Sequence, residues 1–182
     1  MRPLVTAAAL AWSTAVVIAI GGANGAVHIS SGVPSANLRV SSPANVIADG
    51  FGLVRLARGT DPLENPSGSI TSYGYLADGT RTEPDENTYV VLDSNPGGPT
   101  TGYDYGRHFL YQGHENGAPQ AYITRLNLDV TDPLHRITLL TPVNPATGNT
   151  GFGSIDGSVW NPFTRTLLST QERSSSGGGK SG

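Results

Sequence analysis

From residue 107 to residue 172, short apolar runs alternate with polar turns. The clearest pattern covers 121–130. Tyr122, Thr124, Leu126, Leu128 and Val130 fall on one side of an extended chain, and Ala121, Ile123, Arg125, Asn127 and Asp129 on the other. That period of two is what a strand with one buried face requires. Runs at 88–93 (TYVVLD), 108–112 and 136–141 are further strand candidates. Segments 157–160 and 165–171 read as two strands joined by the turn Asn161-Pro162-Phe163-Thr164. Turns are expected at 113–119 and at Thr131-Asp132-Pro133. Upstream the pattern weakens to strand candidates at 37–40, 50–59 and 73–76, with turn-rich sequence over 60–85. Residues 94–106 (SNPGGPTTGYDYG) hold too much Gly and Pro for regular structure and form a long loop. Trp160 and Phe163 are expected in the core. The fold class this predicts is all-β, built of short antiparallel strands.

Composition sharpens the picture. The 24 Gly and 13 Pro suit many tight turns better than long helices. A net charge of -3, with 14% charged residues, leaves no basic stripe, so no nucleic-acid partner is expected. The absence of Cys excludes disulfides and zinc–thiolate sites. Behind Arg2, residues 4–20 (LVTAAALAWSTAVVIAI) are almost wholly apolar, and small residues follow through Ala26. The pattern predicts a signal peptide over 1–25, cleaved after Gly25 or, as a second choice, after Ala26. The alternative is an uncleaved anchor, since a span needs about 20 apolar residues. The expected destination is secreted, extracellular or periplasmic, with no stable membrane association after cleavage. The remaining divisions are a loosely ordered lead-in at 26–49, the β domain at 50–173 and a disordered Gly/Ser tail at 174–182.

Acidic residues recur where predicted strands end. Glu115 and Glu172 each close a strand, and Asp156 precedes a Gly that lets the backbone come close to an ion. Carboxylate oxygens suit Ca²⁺, so these three are the candidate metal ligands. Asp93 closes another run. His114 and Arg107 are the candidate substrate-binding residues, Arg being well suited to oxyanions. His28, His108 and His135 belong to no visible constellation. No Ser–His–Asp order is present, so no catalytic residue is assigned.

Four segments resemble the PhoX-type alkaline phosphatase family of secreted propeller proteins: Gln112-Gly113-His114-Glu115-Asn116, the strand 121–129, the segment 156–162 (DGSVWNP), and 167–172 (LLSTQE). The resemblance implies a large β-propeller that holds calcium and iron ions and hydrolyses phosphate monoesters. His114-Glu115 resembles the family's His-Glu pair, and 169–172 resembles its Thr-Cys-Glu-Glu segment. Thr170 stands in place of the Cys and Gln171 in place of the first Glu, and Glu172 matches. Calcium is therefore the expected cofactor, and iron lacks its cysteine ligand. A blade takes roughly 40–45 residues and a ring has about four to eight blades, so the expected form is a partial propeller. It would be a piece of a longer chain, one copy of an oligomeric ring, or a smaller β-sandwich sharing the local motifs. Two functions stay open. One is a secreted calcium-dependent phosphoesterase acting on a small phosphate ester in the full-length form. The other is a non-catalytic extracellular propeller module. The rest of a propeller, from the same chain or from other copies, is the expected partner.

Overall fold

The structure is a computed structural model, and it describes residues 15–19, 32–34, 46–48, 51–117 and 119–172. They divide between two compact units, one spanning 12–58 and the other carrying 59–172. In the smaller unit β1 (Ala15–Ala19) pairs antiparallel with β4 (Phe51–Arg55), and β2 (Gly32–Pro34) with β3 (Val46–Ala48). Apart from β1 to β3, the expected signal segment and lead-in lie outside the described residues, as do His28 and the tail 174–182. Among the described residues no helix is long and apolar enough to cross a membrane.

The larger unit begins with a small hairpin, β5 (Ile70–Ser72) and β6 (Tyr75–Leu76). Four strands follow as an antiparallel meander: β7 (Glu83–Val91), β8 (His108–Glu115), β9 (Tyr122–Asn127) and β10 (Ile137–Leu139). A last hairpin pairs β11 (Ile155–Asn161) with β12 (Thr166–Gln171). The chain is all-β, with no helix among the described residues.

Strand β8 runs three residues beyond the expected end at 112. Gly113 and His114 are held in line by Ile123 and Tyr122 of β9, and His114 also faces Pro84 of β7. Pairing on both edges overrides the local turn signal of a Gly.

Strand β9 was expected to bury one face and buries both. Arg125 is 5% exposed and Asn127 is fully buried. The Arg125 guanidinium lies over the rings of Tyr105 (5.3 Å) and Phe109 (4.9 Å). Its Nε donates to Asn127 Oδ1 and its Nη2 to the Gly97 carbonyl. Burying this cation is tolerable because Nε and Nη2 each donate a hydrogen bond and aromatic faces take its charge. On that side Val90, Leu92, Tyr105 and Phe109 form a core, with Tyr103, Tyr111 and Trp160 packed on it. The other side holds Leu110, Gln112, His114, Tyr122 and Leu126, all but closed to solvent. Phe163, expected in the core, is 94% exposed. It occupies the β11–β12 turn, where Asn161 Oδ1 accepts its amide and the left-handed Arg165 (φ 56) completes the reversal.

Strand β11 packs along β7 and β8. The hydroxyls of Thr88 and Ser158 meet at 2.6 Å. The approach to β8 passes over Gly113, where a Cβ would stand 3.0 Å from Ile155 Cγ2. A Gly113→Ala chain is therefore expected to lose about 1–3 kcal/mol by overpacking, read as a lower melting temperature. Gly117→Ala, with open space around the added methyl, is expected to melt as wild type. Equal melting of both variants would show that β8 and β11 are not in close contact.

Candidate functional site

Two strands break their ladders where they face each other. The register of β7 shifts between Pro84 and Asn87, and that of β11 between Ile155 and Ser158. Bulges of this kind re-aim side chains and recur beside functional sites. Here they release Asp85 and Glu86 from one strand and Asp156 and Gly157 from the other. The β7 bulge is held from beneath by Gln112, whose Nε2 donates to the carbonyls of Asp85 (2.7 Å) and Glu86 (3.3 Å). Across the gap, Glu86 Oε2 accepts the Ser158 amide at 3.3 Å. A Cβ at Gly157 would lie 3.5 Å from that same oxygen and 3.2 Å from Thr170 Oγ1, so Gly keeps this passage open.

The chain closes the site from the other side through Ser154. Its amide donates to the Asn116 carbonyl (3.2 Å), and its carbonyl accepts the Glu172 amide (2.9 Å). Ser154 has φ 35, a left-handed conformation that costs a non-glycine residue on the order of 1 kcal/mol. One short segment thus ties together the ends of β8 and β12 beside Asp156. Of the three predicted ligands, Asp156 touches Asp85 and Glu115 lies within its electrostatic reach, whereas Glu172 is tied to this region through its main-chain amide. The structure adds Asp85, Glu86 and, opposite Glu115 in register, Glu83.

The electrostatics are those of crowded anions. Burial pushes the Asp85 carboxyl above its usual range, and a hydrogen bond to Asp156 pushes the same way. The charges of Asp156, Glu115 and Glu86 add to the effect. The donors are all oxygen, which fits Ca²⁺. With no Cys in the chain they do not fit thiolate-bridged iron. As they stand, no three His, Asp or Glu side chains among the described residues are gathered closely enough to cage a metal ion.

The two predicted substrate-binding residues lie elsewhere. His114 is fully buried, its ring stacked on Tyr122 at 4.4 Å and edge-on to Tyr73 at 4.7 Å. Its Nε2 meets Thr124 Oγ1 at 2.9 Å, and its Nδ1 faces Thr82 Oγ1 at 3.4 Å. Arg107 precedes β8 at the end opposite Glu115, about 26 Å away at ~3.3 Å per residue. Its Nε is bonded to the Leu92 carbonyl. Asp93 is exposed and pairs loosely with Arg165 at 3.7 Å.

Two histidines without a visible constellation in the sequence turn out to have acidic partners. His108 Nδ1 lies 2.9 Å from Asp129 Oδ1 on the surface. The amides of Arg107 and His108, together with the His108 side chain, hold the Asp129 carboxyl down to about 2. His135 Nδ1 lies 2.8 Å from Glu64 Oε1, which also accepts from Thr100 Oγ1 and from the Tyr105 hydroxyl. Burial pushes the Glu64 carboxyl up, but these three donors and the His135 charge outweigh it and the net shift is downward. Its Oε2 is buried without a hydrogen-bond partner. Seventy-one residues separate Glu64 from His135, and neither lies in a patterned segment, so no local signal marks the pair.

No family model, curated protein or solved structure matches this chain.

Burial depresses the His114 ring to about 3, whereas an unfolded His takes its proton near 6.5. Below about pH 6.5 the unfolded chain therefore binds the extra proton, and stability contributed above that pH is lost as pH falls towards 3. Unfolding free energy is expected to drop by up to about 1.4 kcal/mol per pH unit through this window. His114→Gln should flatten the slope between about pH 6 and 5, above most carboxylate titrations. Identical slopes for the two chains in denaturant melts would show that His114 is not held neutral in the interior.

Proposed function

We propose that this chain is an extracellular, calcium-binding β-sheet module built on the plan of a propeller blade, with its cation site at the facing bulges of β7 and β11. The observation that carries this is the pair of facing bulges, which sets Asp85 against Asp156 with Glu115 and Glu86 within electrostatic reach of Asp85. Clustered anions destabilise a fold unless a cation or protons offset them. Asp85 and Asp156, which touch, would be the first ligands, and Glu115 and Glu172 would have to close in on the ion as it binds. A bound Ca²⁺ would neutralise the rim and, for a phosphate ligand, draw off charge from its oxygens. Raised protonation at Asp85 makes binding compete with a proton, so affinity rises with pH.

The blade plan is supported by the meander β7–β10, four antiparallel strands paired in sequence order, and by β11 lying beside β7 as the first strand of a following blade would. Export is supported by the apolar segment 4–20 with its small-residue exit.

A second reading is a phosphomonoesterase of the PhoX type. It is supported by Ser154, which ties Asn116, next to Glu115, to Glu172, two of the segments that carry the resemblance. Binding ranks above catalysis because His114 and Arg107, the residues meant for the phosphate, lie in the core and at the far end of β8.

Thermal unfolding with excess Ca²⁺ and with chelator separates the possibilities. A ligand at about 100 times its Kd stabilises the folded state by about 2.7 kcal/mol, which raises the melting temperature by roughly 5–10 °C for a chain of this size. Glu115→Gln and Asp156→Asn should each remove most of that rise. A cooperative melt that ignores Ca²⁺ would sink the calcium-binding role. Calcium-dependent hydrolysis of a generic phosphomonoester, abolished by Glu115→Gln in a chain that still melts cooperatively, would promote the second reading over the first.

A further inference from the structure

The turn after β8 carries a feature that ligand binding does not explain. Asn116 is followed by Gly117, and the Asn116 side-chain Oδ1 accepts the Gly117 amide at 2.8 Å. That contact lays the side-chain amide carbon of Asn116 against the next main-chain nitrogen. Gly117 is exposed, Asn116 is half-buried, and a Cβ at Gly117 would meet nothing within 4 Å. Neither bulk nor packing therefore shields that nitrogen. The Asn116 carbonyl is meanwhile tied to the Ser154 amide, which fixes this turn at the acidic rim.

We propose that Asn116–Gly117 is a built-in deamidation site that converts a neutral side chain of the rim into a carboxylate. Gly117 N gives up its proton and attacks Asn116 Cγ; the new C–N bond forms as the Cγ–Nδ2 bond breaks, and the departing nitrogen takes up a proton through solvent and leaves as ammonia. Water then opens the five-membered imide at either carbonyl, giving aspartate or isoaspartate at 116. The net change is one water consumed and one ammonia released, with no oxidant or cofactor. The other Asn–Gly step of the chain, Asn24–Gly25, lies outside the described residues. Asn149, in another loop, offers an internal comparison: its main-chain amide donates to Thr147 Oγ1, and the residue after it, Thr150, carries a β-branched side chain.

The new charge would stand next to Glu115, among the carboxylates assigned above to the cation. Its effect on calcium rests on that assignment, whereas the chemical conversion does not. Ageing of the protein would then strengthen cation binding through added ligand charge.

Incubation of the full chain in warm, mildly alkaline buffer, followed by tryptic mapping, reads the conversion directly. The peptide 108–125 contains Asn116 as its sole Asn. It is expected to gain about one dalton and to split into aspartate and isoaspartate forms, while the peptide holding Asn149 stays unchanged. Gly117→Ala should slow the gain at least about tenfold, equivalent to roughly 1.4 kcal/mol on the ring-closure barrier. An unmodified 108–125 peptide, under conditions where the same peptide free in solution converts, would overturn the proposal. Asn116→Asp is expected to show a larger calcium-induced rise in melting temperature than wild type. Conversion without that larger rise would leave the modification standing and overturn its role at the rim. A wild type insensitive to Ca²⁺ would count against the calcium-binding role alone.

Discussion

Gln112 has no exposure to solvent, and its carboxamide nitrogen serves the carbonyls of Asp85, Glu86 and Gly113. Its oxygen faces the Tyr73 hydroxyl at 3.4 Å. A buried amide is costly unless its donors are used, and here they are spent on a strand that has left its ladder. Without that support the bulge in β7 would expose unpaired carbonyls to the interior, and the regular register would resume. Asp85 and Glu86 would then alternate across β7 instead of crowding towards β11. The acidic rim follows from this one buried side chain, from Gly113 beside it, which admits β11, and from Ser154, which ties the ends of β8 and β12 to the same place.

Much of this was legible in the sequence, and what was missed has identifiable causes. The strands from 108 onward declared themselves by alternation and by the Asn161-Pro162 turn. Glu115 and Glu172 stand out in the sequence as acids at strand ends, and Asp156 as an acid before a Gly. Asp85 and Glu86 were not, because they follow Pro84 in a stretch that reads as turn. Pro inside a strand is tolerated at a bulge, and only the pairing with β8 shows that a bulge is present. Arg125 read as a solvent-facing residue, since alternation assigns faces but cannot tell that both are covered. The Glu64–His135 and His108–Asp129 pairs depend on contacts 71 and 21 residues apart in the chain, which no local pattern encodes.

The positions of His114 and Arg107 bear on what such a rim can do. A His-Glu pair in sequence suggests two neighbouring ligands, yet successive strand residues point to opposite faces. Glu115 is left half-buried at the rim while His114 turns into the aromatic layer between Tyr73 and Tyr122. The pairing of the two residue types therefore reflects a structural role for one and a surface role for the other. Arg107 serves the opposite end of β8, where it ties Leu92 to the Asp129 corner. What remains at the rim is acid, amide and hydroxyl, oxygen donors of the kind a hard cation takes.

In the proposed role, carboxylates from separate strands act on one ion. Calorimetric titration of Ca²⁺ into wild type, Glu115→Gln, Asp156→Asn and the double variant tests it most directly. A shared ion predicts one strong site in wild type, a large loss of affinity in each single variant, and a double variant little worse than either, a coupling of at least about 0.5 kcal/mol. Strictly additive losses, or no calcium heat in the wild-type chain, would contradict it.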